Sequence, residues 1–167
     1  MEGPYRAGDA LPPLEIPVTR TLIVAGAIAS RDYQDVHHDA ELAREKGSPD
    51  IFMNILTTNG LVGRYITDHF GPAAVLRKVA IRLGVPNYPG GLLRLTGRIT
   101  TVDGGNRTYI DSENRIPIEG ENHTLIEVAV AGDNCMGRHV TGKVTVTLPH
   151  DSCRPHQPHR SHDARPL

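Results

Sequence analysis

A chain of 167 residues fits one domain of ordinary size, long enough to bury a core and short for two. The formal charge is −1 and neither Lys nor Arg forms a run, which argues against a surface that tracks nucleic-acid phosphates. Cys135 and Cys153 are the only cysteines, too few for a disulfide framework and outside any metal-ligand pattern, which fits a reducing cytoplasm.

Residues 1–14 are polar and Pro-rich, with no charged-then-apolar succession, and are expected to be a flexible N-terminal segment. The stretch Thr19–Ile28 is rich in β-branched residues and reads as a strand or extended segment, delivering the chain into a polar loop over Ser30–Asp39. Ala40–Lys46 reads as a short helix stopped by Gly47. Ser48-Pro49-Asp50 then supplies start signals for a helix over Ile51–Phe70, ended by Gly71-Pro72. Ile51, Phe52, Ile55, Leu56, Leu61, Val62, Tyr65 and Ile66 cover more than one stripe of that helix, so other structure should wrap it.

The period then changes to two. Val79, Ile81, Leu83 and Val85 alternate with polar or small residues, and Leu92–Val102, Thr124–Val130 and His139–Leu148 read as further strands separated by turns. Arg107–Glu121 is polar and reads as a long loop or a distorted strand. Residues 149–167 hold repeated Pro and His with few apolar side chains and are expected to be disordered. The expected domain therefore spans 15–148. No run approaches the length of a membrane span, and the expected protein is soluble, cytoplasmic, and without membrane or nucleic-acid partners.

One long apolar helix followed by consecutive antiparallel strands predicts an α+β fold in which the sheet curls round the helix. Within it, Asp32 and His37 stand out. A carboxylate and an imidazole five residues apart, on a loop that feeds a helix, can hold one water between an acid and a base. Asp151 and His156 repeat the spacing, but among Pro, His and Arg nothing could fix them to the tolerance a catalytic site needs.

With Asp39, the pair matches in register the Asp-x-Asn-Pro-x-His-x-Asp signature of the MaoC-like (R)-specific enoyl-CoA hydratases, and the chain resembles that hot-dog-fold family over Thr19–Leu148. Gln34-Asp35 replaces the signature's Asn-Pro, and Phe52-Met53 replaces the His-Gly at the helix start. Arg31–Asp39 and Asp50–Leu56 are similar, more narrowly, to the small subunit of the two-subunit actinobacterial hydratases of steroid side-chain degradation.

The resemblance implies hydration of a conjugated acyl-CoA thioester, with Asp32 and His37 catalytic, no cofactor, and a heterotetramer built with a second MaoC-like subunit. By position, the Met53 amide would take the family's oxyanion role, with the Asn54 side chain as alternative donor to the thioester oxygen. Two other readings stay open at this point: a hot-dog acyl-CoA thioesterase, and a non-catalytic MaoC-like partner subunit. Asp35 and Asp39 are solvated loop acids or orient His37. Thr57, Thr58, Asn59 and Gly60 form a small polar patch that serves either close packing or a ligand.

Overall fold

A computed structural model describes residues 4–104, 109–110, 115–116 and 123–149. In chain order these form β1 (Ala10–Pro17), α1 (Arg20–Ala29), a 3-10 turn (Asp35–His37), α2 (Ala40–Glu45), α3 (Ile55–Phe70), β2 (Val75–Leu83), β3 (Leu92–Gly104), β4 (Tyr109–Ile110), β5 (Arg115–Ile116), β6 (His123–Asn134) and β7 (Gly137–Pro149). Five strands make one antiparallel sheet in the order β1-β3-β6-β7-β2, and β4 pairs with β5. The architecture is the α+β hot-dog fold expected from the sequence.

Alternation on the strands puts Leu93, Leu95, Ile99, Ile126, Val128, Val144 and Val146 on the inner face, where they are buried against Leu61, Val62, Tyr65, Ile66 and Phe70 of α3. The sheet wraps only part of the helix. Ile55 and Leu56 in its first turn remain about half exposed, at 49% each. Gly97 of β3 leaves room for the Tyr65 ring, since a Cβ there would sit 3.1 Å from the ring carbon Cε1.

Three expectations are corrected. Thr19–Ile28 is not extended: Arg20–Ala29 is helical, with the Thr19 hydroxyl accepting from the Leu22 amide as N-cap. Burial of Ile23 and Ala27, one turn apart, outweighs the strand preference of the β-branched residues. The long helix starts at Ile55 rather than Ile51, because Asn54 caps it, while Ser48 Oγ donates to Asp50 O and the Asp50 carboxylate accepts from the Ile51 amide and from Arg20 of α1. Order also begins earlier than residue 15. Leu11 is buried and β1 starts at Ala10, with Pro12 and Pro13 accommodated where the register shifts on an edge strand. β7 ends at Pro149; the remaining tail, with Asp151 and His156, and most of Arg107–Glu121 lie outside the described residues. Among the described residues, no helix is long and apolar enough to cross a membrane.

α1 crosses α3 at Gly26, where a Cβ would lie 2.2 Å from Thr57 Oγ1 and 2.8 Å from its Cγ2. Close helix packing, the first of the two roles open to the Thr57–Gly60 patch, thus applies to Thr57. Gly26→Ala is expected to destabilise the protein by about 1–2 kcal/mol, with overpacking outweighing the gain in helix propensity. Thr57→Ala, which removes a buried hydroxyl with no hydrogen-bond partner, should recover part of that loss in the double variant, measured by denaturant unfolding.

Stability should also depend on pH through His139 and His69, whose pKa values burial pushes below the ordinary 6.5. The folded state then binds fewer protons than the unfolded chain, so stability is fully present above about pH 6.5 and is lost as pH falls through the lowered values. A melting temperature that held constant from pH 7 to pH 5 would contradict this.

Candidate active site

Asp32 is delivered by the way α1 ends. The Asp32 amide donates to Ala27 O at 2.9 Å and the Arg31 amide to Ile28 O at 3.0 Å, a Schellman-type closure with Arg31 at φ 58°. That conformation is ordinarily glycine's, and a side chain there costs roughly 1 kcal/mol. The turn points the chain back toward the start of α3. There Asp32 Oδ2 accepts from Asn54 Nδ2 at 3.0 Å.

His37 closes the 3-10 turn and its side chain is 8% exposed. Its Nδ1 lies 2.7 Å from the Phe52 carbonyl oxygen, and the Phe52 ring meets the imidazole edge-on at 5.0 Å between centroids. A carbonyl only accepts, so Nδ1 carries a proton, and in the neutral form of the ring Nε2 is the nitrogen left unprotonated. Nε2 stands 3.4 Å from Asp32 Oδ2. The structure therefore brings the two residues together, with a carboxylate and a basic nitrogen facing each other.

The neighbouring polar residues do other work. Asp39 caps α2, accepting from the Glu41 and Leu42 amides. Asp35 accepts from Lys46 Nζ at 2.6 Å, and the hydrogen bond from that ammonium holds its carboxyl below the usual range. His38 Nε2 lies 3.1 Å from the Tyr33 carbonyl. None of the three orients His37; the Phe52 carbonyl does.

Met53 and Asn54 are corrected against expectation. The Met53 amide donates to Asn87 O at 3.0 Å, so it is not free for a substrate oxygen. The Asn54 side chain is buried: Oδ1 accepts from the Thr57 amide at 2.9 Å, and Nδ2 donates to Ser30 Oγ at 2.9 Å as well as to Asp32. Both amide hydrogens are thus committed inside the protein. The amides of Ile55 and Leu56, in the first turn of α3, have no intrahelical acceptor, and among the described residues no bond to another group occupies them.

Sequence reasoning overlooked the roles of Ser30, Asn87 and His139. His139 is buried on β7, with Nδ1 donating to Val85 O at 2.7 Å and Nε2 accepting from Thr58 Oγ1 at 2.9 Å. It ties α3 to the sheet one turn past Asn54. A histidine heading a strand that alternates apolar and polar residues was its only signal in the sequence.

No protein-family profile matches the chain. The beta subunit of 3-oxo-4,17-pregnadiene-20-carboxyl-CoA hydratase from Mycobacterium tuberculosis is 41% identical over 141 residues, covering 84% of this chain and 95% of the relative. A chain of the ChsH1–ChsH2 complex from the same organism superposes with a TM-score of 0.72 at 40% identity, over 86% of this chain and 98% of that one. An (R)-hydratase from A. caviae involved in PHA biosynthesis shares the fold at a TM-score of 0.70 and 15% identity, over 87% and 98% of the two chains. With its hot-dog sheet, and with two-fifths identity across nearly the whole of a named hydratase subunit, the chain belongs to the MaoC-like enoyl-CoA hydratase family.

Proposed function

We propose that the chain is the catalytic subunit of a hetero-oligomeric hydratase that adds water to a steroid side-chain enoyl-CoA, with Asp32 and His37 as its catalytic residues. The observation that carries the reading is the placement of His37, whose Nδ1 is held by the Phe52 carbonyl and whose Nε2 faces a carboxylate that Asn54 holds in place. A water between them donates one hydrogen to Asp32 and the other to His37 Nε2. As its oxygen adds to Cβ, His37 takes that second proton and returns it to Cα on the same face. Asp32 remains a carboxylate and stabilises the transient imidazolium.

Charge that gathers on the thioester oxygen needs donors already aimed at it. The Ile55 and Leu56 amides supply them, together with the positive end of the α3 dipole. The donor role thus passes from Met53 to the first turn of the helix.

The steroid substrate rests on the relative's name, which specifies a pregnadiene carboxyl-CoA. A second MaoC-like subunit rests on two observations. Ile28, Tyr33, Ile55 and Leu56 are exposed apolar side chains on the elements that meet at Asp32, and among the described residues the outer edges of β1 and β2 have no neighbouring strand. A partner across that region would bury the apolar residues and enclose a bulky polycyclic acyl group, forming a heterotetramer of two catalytic and two non-catalytic chains.

The test is turnover of a steroid enoyl-CoA by the chain alone and co-expressed with its partner. The expected result is loss of enoyl-thioester absorbance without thiol release, strong in the complex and weak or absent in the isolated chain. Thiol release would favour the thioesterase reading instead. In the complex, Asp32→Asn and His37→Ala should each lower kcat on the order of 100-fold to 10,000-fold. The double variant should be little worse than either single one, because the two groups share one water. Near-normal turnover in either single variant would remove the assignment.

A further inference from the structure

Asn54 sits where three demands converge. Its Oδ1 is committed to the Thr57 amide, which fixes the orientation of the side-chain amide and leaves only Nδ2 to face the other way. On that side, one hydrogen goes to Ser30 Oγ, whose own hydrogen goes to Gly26 O at 2.7 Å, and the other goes to Asp32 Oδ2. The group is buried, so no water competes for these bonds. Its backbone is held as well: the carbonyl accepts from the Thr58 amide and lies 3.3 Å from the Thr58 hydroxyl, which also bonds His139.

We propose that Asn54 is the positioning residue of Asp32, coupling the carboxylate and the first turn of α3 into one rigid unit. A helix cap alone needs only an oxygen, and Ser, Thr or Asp would serve equally. What Asn adds is the pair of N–H donors. One of them holds the Asp32 oxygen that faces His37. Because the same side chain caps the helix whose Ile55 and Leu56 amides would receive the thioester oxygen, the water-holding and charge-accepting sides of the site cannot drift apart. The inference deepens the hydratase reading and rests on it for its catalytic meaning, but the coupling to Asp32 can be measured without substrate.

Two variants separate this role from capping. Asn54→Ser keeps a cap oxygen and has no amide to reach Asp32. Asn54→Asp keeps the cap and the shape but sets an acceptor against Asp32. The Asp32 carboxyl carbon-13 resonance is compared at one fixed pH in the native chain and the two variants, and kcat and KM are measured in the complex with its partner. Asn54→Ser should stay folded, with a melting temperature within a few degrees of the native value, and that of Asn54→Asp, which sets a second buried carboxyl against Asp32, should fall further. The Asp32 carboxyl resonance should move in Asn54→Ser, which removes the hydrogen bond from Nδ2, and in Asn54→Asp, which replaces the donor by an acceptor. kcat should fall about 10-fold to 100-fold with KM within about 3-fold, since the hydrogen bond orients the group that acts in the transition state. An unmoved Asp32 resonance in Asn54→Ser, with native kcat, would leave Asn54 a helix cap and overturn the proposal. Should the resonance move while even the native complex fails to hydrate any enoyl-CoA, the coupling stands and the hydratase reading falls.

Discussion

The Phe52 carbonyl has no proton to give, and that limitation sets the chemistry available to His37. With Nδ1 committed as donor at 2.7 Å, the ring has one tautomer, and its basic nitrogen is turned toward Asp32. The residues that arrange this are consecutive. The Phe52 amide donates to Val36 O, its carbonyl accepts from His37, the Met53 amide donates to Asn87 O, and the Asn54 side chain reaches Ser30, Asp32 and Thr57. Three residues ahead of α3 therefore join the histidine loop, the α1 exit and the β2–β3 connection. The geometry of the pair depends on where that helix begins, and the helix begins at Ile55 because Asn54 stops it from starting earlier.

Such a junction carries local costs. Arg31 holds a left-handed conformation so that Asp32 can leave α1 at the right angle. Among the described residues Thr57 Oγ1 and Asn87 Nδ2 are buried without hydrogen-bond partners, each of which costs on the order of 1–3 kcal/mol. Rule-breaking of this kind concentrates where positioning matters more than stability. The rest of the chain offsets it with a conventional core of alternating strand residues packed on α3. Where that core stops, the first turn of α3 exposes Ile55 and Leu56 beside the polar junction, a combination of apolar wall and ordered polar groups suited to an acyl thioester.

Much of the fold was legible because strand burial has a strict period of two. Leu93, Leu95 and Ile99 announced β3, and the alternation in β6 and β7 was equally plain. α1 was misread because its Thr, Ile and Val favour strands locally, while the burial of Ile23 and Ala27 and the glycine at the crossing with α3 reveal themselves only in three dimensions. The Asp32 and His37 spacing was readable, since both residues belong to one loop. Their supporting groups were not: Asn54, Asn87 and His139 come from three other places in the chain, and two of the key contacts use backbone carbonyls, which leave no trace in residue identity. The shift of the expected amide donors from Met53 to Ile55 and Leu56 has the same origin, because a helix start displaced by four residues changes which N–H groups remain unpaired.

The central claim is that His37 is held as a neutral base with its free nitrogen facing Asp32. Nitrogen-15 NMR of the imidazole at a pH where the ring is neutral tests it most directly. The account predicts a protonated, pyrrole-type Nδ1 and an unprotonated, pyridine-type Nε2. The reverse assignment, or rapid exchange between the two tautomers, would contradict it.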